Sequence, residues 1–263
     1  MKKFLLSIAA LLLIFYTVKA EKPEKPKFSY NVNVDLTSAY LWRGFYDGGL
    51  SLQPSVNLNY GNFTVGAWGN LGSSDWKFND DTYFFPELDI YLIYYIKQFK
   101  VSVTHLHYFD SKYFDFSNGV SLKHEGNTNQ TEVMLSYTVS DNIPLSLSWA
   151  TQLWGGDGYY ADSTATTLKR AYSSYLEVAY NFRLPYEINL TTVAGFSPWR
   201  GLYTEYEGNF AFNNLSFYAE REFSIEERAS IAVFAQEMTN FYNISGDNLK
   251  EKLNWAVGIS FRL

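Results

Sequence analysis

The chain has 263 residues, a formal charge of -6 and no Cys, and 19% of its residues are aromatic. An acidic chain offers no electrostatic footprint for nucleic acid, and without Cys it is neither a disulfide scaffold nor a lipoprotein acylated on cysteine. Beyond the N-terminus no run reaches the roughly 18 consecutive apolar residues that a spanning helix requires, so helical spans are excluded.

Residues 1–20 read as a signal peptide. Lys2 and Lys3 make a basic start, Phe4 to Phe15 an apolar core, and Val18-Lys19-Ala20 a cleavage site of small residues. Cleavage near Glu21 removes Lys2, Lys3 and Lys19 and leaves a still more acidic exported chain. Residues 21–27, EKPEKPK, read as a short disordered periplasmic lead-in, and residues 28–263 as one folded unit.

That unit opens on FSYNVNVDLTSAYLW. Phe28, Tyr30, Val32, Val34 and Leu36 fall on one side of an extended strand, and Ser29, Asn31, Asn33, Asp35 and Thr37 on the other. Tyr40 and Trp42 continue the apolar register, so the strand is expected to run to Trp42, with Arg43-Gly44 at its rim and a short loop over 44–49. Leu50 to Tyr60 resumes the alternation, Tyr60-Gly61-Asn62 turns tightly, and Phe63 to Leu71 runs back. After a polar loop, Phe84 to Ile96 and Phe99 to Tyr108 form the next pair around Lys97-Gln98. In the second of these, His105 and His107 take the apolar register while Leu106 and Tyr108 take the polar one, which predicts either a bulge or an exit from the membrane.

Gln130 to Val139, Leu145 to Leu153, Tyr172 to Phe182, Ile188 to Phe196, Phe210 to Glu220, Ile231 to Ala235 and Asn254 to Leu263 complete the set. The segment from Phe210 is the least regular, since Phe210 and Phe212 share one register and Leu215 and Phe217 the other. The count is about twelve, and the connections alternate long and short throughout, as in bacterial barrels with tight periplasmic turns and longer external loops. The predicted fold is an all-β transmembrane antiparallel up-and-down barrel in the bacterial outer membrane, with outer-membrane lipid as its surroundings and the barrel assembly machinery as its partner during biogenesis.

Thr37-Ser38-Ala39-Tyr40-Leu41-Trp42-Arg43-Gly44, Gln53-Pro54-Ser55-Val56 and Gly66-Ala67-Trp68-Gly69-Asn70 together resemble the N-terminal signature of the TorF-type porin family, also known as the Gcw-chp family. The resemblance covers about the first third of the exported chain and implies an outer-membrane barrel named a porin by analogy; it brings no catalytic residues. One departure is the last residue: Leu263 is aliphatic, where such barrels usually end on an aromatic read by the assembly machinery.

Asp35, Glu87, Asp89, Glu132 and Glu177 lie in the polar register, together with Lys100 and Arg262, and these seven are the candidate lumen residues. Two readings stay open: carboxylates that favour cations by their field, or charges that pair across the lumen and brace it. Phe85, Tyr91, Tyr95 and Tyr175 would narrow the bore further. Tyr40, Trp42, Trp149, Trp154 and Trp255 read as membrane-interface residues. The spacing of His105, His107 and His124 is not diagnostic of a metal site, and Gly155-Gly156-Asp157-Gly158 with Asp162 fits an ordinary turn as well as a calcium loop.

Nothing matches a nucleophile elbow, and no enzyme activity, metal or cofactor is expected. The expected function is passive diffusion of small polar solutes through a narrow, net-acidic lumen, filtered by the loops around 109–128 and 154–171. The alternative is a closed barrel whose external loops carry a structural or surface-interaction role.

Overall fold

Alternating polar and apolar residues produce eighteen strands in the computed structural model, which describes residues 27–73, 84–109, 114–115, 119–120, 129–160, 167–204, 206, 208–242 and 253–263. The signal peptide and most of the lead-in expected over residues 1–27 lie outside the described residues. So do His124, Asp162 and most of the connection over 109–128.

In chain order the strands are β1 (Phe28–Thr37), β2 (Tyr40–Trp42), β3 (Phe45–Gly48), β4 (Ser51–Tyr60), β5 (Phe63–Ser73), β6 (Phe84–Ile96), β7 (Phe99–Tyr108), β8 (Phe114–Asp115) and β9 (Gly119–Val120). They continue with β10 (Gln130–Thr138), β11 (Leu145–Gly155), β12 (Gly158–Tyr160), β13 (Leu168–Arg170), β14 (Ser174–Leu184), β15 (Ile188–Ser197), β16 (Ala211–Glu226), β17 (Ala229–Asn240) and β18 (Leu253–Arg262).

Twelve of these close a barrel in the order β1-β18-β17-β16-β15-β14-β11-β10-β7-β6-β5-β4. Each barrel strand pairs antiparallel with the barrel strand before it in the chain, and β1 closes the ring on β18 through Asn33 opposite Arg262 and Thr37 opposite Gly258. The result is the expected twelve-stranded up-and-down barrel. Closure pairs the edge strands, which a sheet in lipid requires because no water is present to satisfy an open edge.

The barrel is inside out relative to a soluble one. Leu52, Val56, Leu58, Ile90, Leu92, Val257 and Ile259 are exposed on the outer surface, whereas Ser51, Ser102, Ser136 and Ser260 are buried toward the bore. Apolar side chains outward and polar ones inward is the arrangement of a membrane-spanning barrel. Tight turns at Gly61-Asn62, Lys97-Gln98 and Glu227-Arg228 share one end with Phe28 and Leu263, where the Val32 amide donates to the Leu263 carbonyl at 3.0 Å. The strand ends that the longer connections join lie at the other end.

Two irregularities of the sequence pattern have distinct causes. β7 pairs with β6 and β10 without any register shift, so no bulge exists at His105. The histidines stay outward, and Leu106 turns inward and is buried, because the bore at this level is packed with protein. In β16, by contrast, the register against β15 shifts between Gly195 and Phe196, leaving Asn213 as an extra residue. That bulge moves Asn213 and Asn214 both into buried positions.

Candidate functional site

The bore is interrupted by the first long connection. β1 ends at Thr37 after ten residues, a length matching the roughly 9–11 residues that a tilted strand needs to cross a bilayer. The expected continuation to Trp42 is therefore corrected: the chain leaves the barrel wall and forms the hairpin β2–β3, in which Trp42 pairs with Phe45 and Tyr40 with Gly48. Its turn is Arg43-Gly44, with φ of 47° and 98°; two successive residues at positive φ are what a tight two-residue hairpin turn demands, and glycine takes the more extreme value without penalty.

The hairpin folds across the bore. Its tip is held on one side by β17, where the Gly44 amide points at the Met238 Sδ at 3.1 Å and Asn240 Nδ2 donates to the Gly44 carbonyl at 2.9 Å. From that tip the Arg43 guanidinium reaches β10. It donates from Nη1 to Glu132 Oε2 at 2.5 Å and from Nη2 to Oε1 at 2.9 Å, a bidentate ion pair. Nη1 also donates to the Tyr203 hydroxyl at 2.6 Å. The side chains of Arg43 and Glu132 are only 12% and 9% exposed, so this is a desolvated pair whose partners depend on each other.

Aromatic rings enclose the guanidinium, which lies 4.9 Å from the Trp42 ring centre and 4.8 Å from that of Tyr175. Tyr175, Tyr203 and Ala150 form a buried apolar cluster with Trp42, Phe45, Met134 and Leu202 packed against it. A second cluster joins Ala39 and Leu41, at the start of the hairpin, to Met238 of β17 and Ala256 of β18. The two bulges serve this plug. Asn213 Nδ2 donates to the Tyr203 carbonyl at 2.6 Å and Asn214 Oδ1 accepts from the Tyr175 hydroxyl at 2.5 Å. A register shift between Thr131 and Glu132 sets Gln152 opposite Glu132, to whose Oε2 its amide donates at 3.3 Å. Burial pushes the Tyr203 hydroxyl well above the ordinary phenol range despite the nearby Arg43, so it stays a neutral phenol that accepts from the guanidinium.

Space remains on both sides of the hairpin. Toward the tight turns lies a cavity of about 850 Å³ lined by Tyr95, Lys100, Ser136, Thr138, Ser148 and Glu177. It adjoins one of about 450 Å³ among Asn31, Asn57, Tyr91, Lys100 and Ser102. Toward the long connections lies a vestibule of about 390 Å³ walled by Tyr40, Trp42, Phe45, Asp47, Glu87, Tyr108 and Gln130. Asp47 belongs to the hairpin rather than to a spanning strand; its side chain is open to the vestibule, and the protein enclosing that space, then the neighbouring Glu87, push its carboxyl up to about 7.

The sequence-predicted residues separate into groups on this frame. Glu132 is the partner of Arg43. Lys100 and Glu177 face the larger cavity, and Glu87 faces the vestibule with Asp89 two residues along the same face. Asp35 accepts from Asn33 Nδ2 at 2.9 Å near the closure of the ring. Arg262 pairs with Glu220, and with Glu222 at 2.9 Å, near the tight-turn end. Trp149, Trp154 and Trp255 lie on the outer surface, 40%, 66% and 63% exposed.

Tyr40 and Trp42 are corrected from membrane-interface residues to lumen residues. Tyr40 packs on the inward Trp68 at 5.4 Å between ring centres, and Trp42 stacks on Phe45 at 6.2 Å. The reason is the early end of β1: beyond Thr37 the strand register no longer decides which way a side chain points. Asp157 is a turn residue, accepting from the Ser173 amide at 2.8 Å and from the Ser173 hydroxyl; beside it, burial and Asp157 push the Tyr206 hydroxyl up to about 12. No cluster of three His, Cys, Asp or Glu side chains suited to a metal occurs among the described residues.

Arg43, Tyr203, Gln152, Asn213 and Asn214 escape a reading by residue pattern. The signal available for Arg43 was length: fifteen residues from Phe28 to Trp42 exceed what a spanning strand uses.

No family model matches the chain, and no curated protein matches it. Among solved structures the fold is similar to a FadL homologue of Pseudomonas aeruginosa, with 11% identity, 89% of this chain and 74% of that one covered, and a TM-score of 0.35. It is likewise similar to a TodX monoaromatic hydrocarbon channel mutant, with 8% identity, coverages of 92% and 91%, and a TM-score of 0.39. A porin of Rhodopseudomonas blastica is similar at 12% identity, coverages of 90% and 100%, and a TM-score of 0.31. At these values no function passes from those proteins to this chain.

Proposed function

We propose that this protein is a bacterial outer-membrane channel for small polar solutes, with a net-acidic bore narrowed by the Arg43 hairpin. The observation that carries the proposal is open space on both sides of the hairpin: about 850 Å³ below it, lined in part by Lys100, Glu177 and hydroxyl side chains, and about 390 Å³ above it. A barrel serving only as a scaffold has no need of a cavity lined by Lys100, Glu177 and hydroxyl side chains, because apolar packing would fill it more stably. Arg43 and Glu132 bridge the hairpin to β10 across the bore, and the carboxylates of Asp35, Glu87, Asp89 and Glu177 outnumber Lys100 along the walls, which favours cations.

In this reading the tight-turn end is periplasmic, the long connections are external, and Trp149, Trp154 and Trp255 sit in the interfacial aromatic belt. Outer-membrane lipid, the assembly machinery and membership of the TorF-type family belong to the same proposal. Planar-bilayer recording of the refolded protein tests it: cation-selective conductance is expected, and clear anion preference would refute it.

The aromatic cluster around Tyr175 and Tyr203 favours a second reading, a permanently closed barrel that acts through its external connections. That reading predicts no conductance from the native protein and none after the hairpin is released.

A further inference from the structure

We infer that the vestibule above the hairpin binds a small organic cation, an ammonium compound held by carboxylates and aromatic rings. This deepens the channel proposal by naming a class of solute, and its role in transport rests on that reading.

Three observations meet in one place. The first is an excess of acceptors. Glu87 is only 6% exposed and faces the vestibule; its carboxyl is hydrogen-bonded with Tyr40, Tyr108 and Asp89, but its Oε1 has no hydrogen-bond partner. Asp89 Oδ1 and Gln130 Oε1 are likewise buried and unpartnered, and Gln130 lines the same space. A buried acceptor without a donor is costly, more so when charged, so Glu87 and Gln130, which both line the space, are stabilised by a ligand that brings N–H groups or positive charge.

The second is the missing counterion. Among the described residues the ion pairs join Arg43 to Glu132 and Arg262 to Glu220 and Glu222; none reaches Asp47, Glu87 or Asp89. Arg43, the nearest arginine in the hairpin, is already committed to Glu132.

The third is the wall. Tyr40, Trp42, Phe45 and Tyr108 surround the acidic side chains, and aromatic faces attract a desolvated ammonium group. A metal ion would instead require converging ligands, and no suitable group of three occurs among the described residues. The volume of about 390 Å³ falls within the range of small-molecule sites.

Choline and its neutral carbon isostere dimethylbutanol are the probes, titrated by calorimetry and Trp fluorescence against the full refolded barrel in lipid. Saturable choline binding is expected, with the isostere at least about tenfold weaker, a factor matching the worth of a desolvated cation–aromatic contact. Glu87→Gln and, separately, Trp42→Leu are each expected to weaken choline by about tenfold, with urea unfolding used to verify that each variant is folded. Equal binding of the two probes, undiminished choline binding in folded Glu87→Gln, or complete displacement of choline by magnesium would overturn the inference. Potassium conductance of the same preparation separates the two proposals. Conductance without choline binding refutes only the site, and choline binding in a barrel that never conducts refutes only the channel.

Discussion

Replacing Arg43 by Ala should open the barrel. The substitution removes both hydrogen bonds to Glu132, the one to Tyr203, and the guanidinium that fills the space between Trp42 and Tyr175. It also leaves Glu132, 9% exposed, as a buried carboxylate with only the longer bond from Gln152. Breaking such a pair from one side costs about 3–5 kcal/mol. Where the hairpin can lift while the ring of twelve strands stays closed, that loss falls on hairpin seating rather than on the barrel. The population of the lifted state should then rise by roughly a hundredfold to a few thousandfold, at about 1.4 kcal/mol per decade. Single-channel recording in planar bilayers reads this directly as a higher open probability or a larger conductance step. A folded Arg43→Ala barrel with unchanged conductance and gating would refute the assignment of Arg43 as the latch.

Other consequences are independent of that one. Arg43→Met combined with Glu132→Leu should be less destabilising in urea unfolding than the sum of the single changes, with a coupling of about 1 kcal/mol or more; strict additivity would mean that the pair is not coupled. A Cβ at Gly195 would lie 1.9 Å from the Tyr175 hydroxyl and 2.3 Å from Asn214 Oδ1, so Gly195→Ala should displace Tyr175 and lower stability by about 1–3 kcal/mol, visible as a lowered urea midpoint. The carboxyl of Asp47 is raised from 3.8 to about 7 with the hairpin seated, so the seated state binds more protons than a lifted one in that window. Seating is therefore fully supported below the ordinary carboxylate value and weakens as pH rises toward 7. Conductance should grow over that range, moderated because the tip of Asp47 meets water in the vestibule, and Asp47→Asn should flatten the profile.

The barrel was legible because its determinants are local. Alternation along each strand decides which side meets lipid, and Val34, Val56, Leu92 and Val257 carry that signal without reference to any partner. The alternating connection lengths supplied the topology. The plug was not legible, because nothing local distinguishes a side chain facing lipid from one facing an inserted hairpin: Tyr40, Trp42 and Leu106 are apolar in either case. Leu106 and Tyr108 looked like a phase error only on the assumption of a polar bore throughout.

Asn213 shows the opposite difficulty. Its irregular segment was visible, but the bulge that aims Asn213 at the Tyr203 carbonyl exists to serve a contact with a distant connection. The inward carboxylates were similarly readable as a set, while their fates were not. Glu132 became one half of a latch because Arg43, 89 positions away, crosses the bore, whereas Glu87 received no cation among the described residues.

The chain has no Cys, so one engineered disulfide can hold the hairpin without side reactions. A Cβ at Gly44 would stand 3.4 Å from that of Asn214, close to the separation a disulfide spans, at a strain of roughly 1–3 kcal/mol for a side chain at positive φ. Recording Gly44→Cys with Asn214→Cys in bilayers, oxidised and then reduced on the same channel, measures whether the hairpin controls the bore. Closure under oxidation and recovery of conductance on reduction, with each single Cys variant insensitive to both treatments, is the predicted result. Equal conductance in both redox states would contradict it.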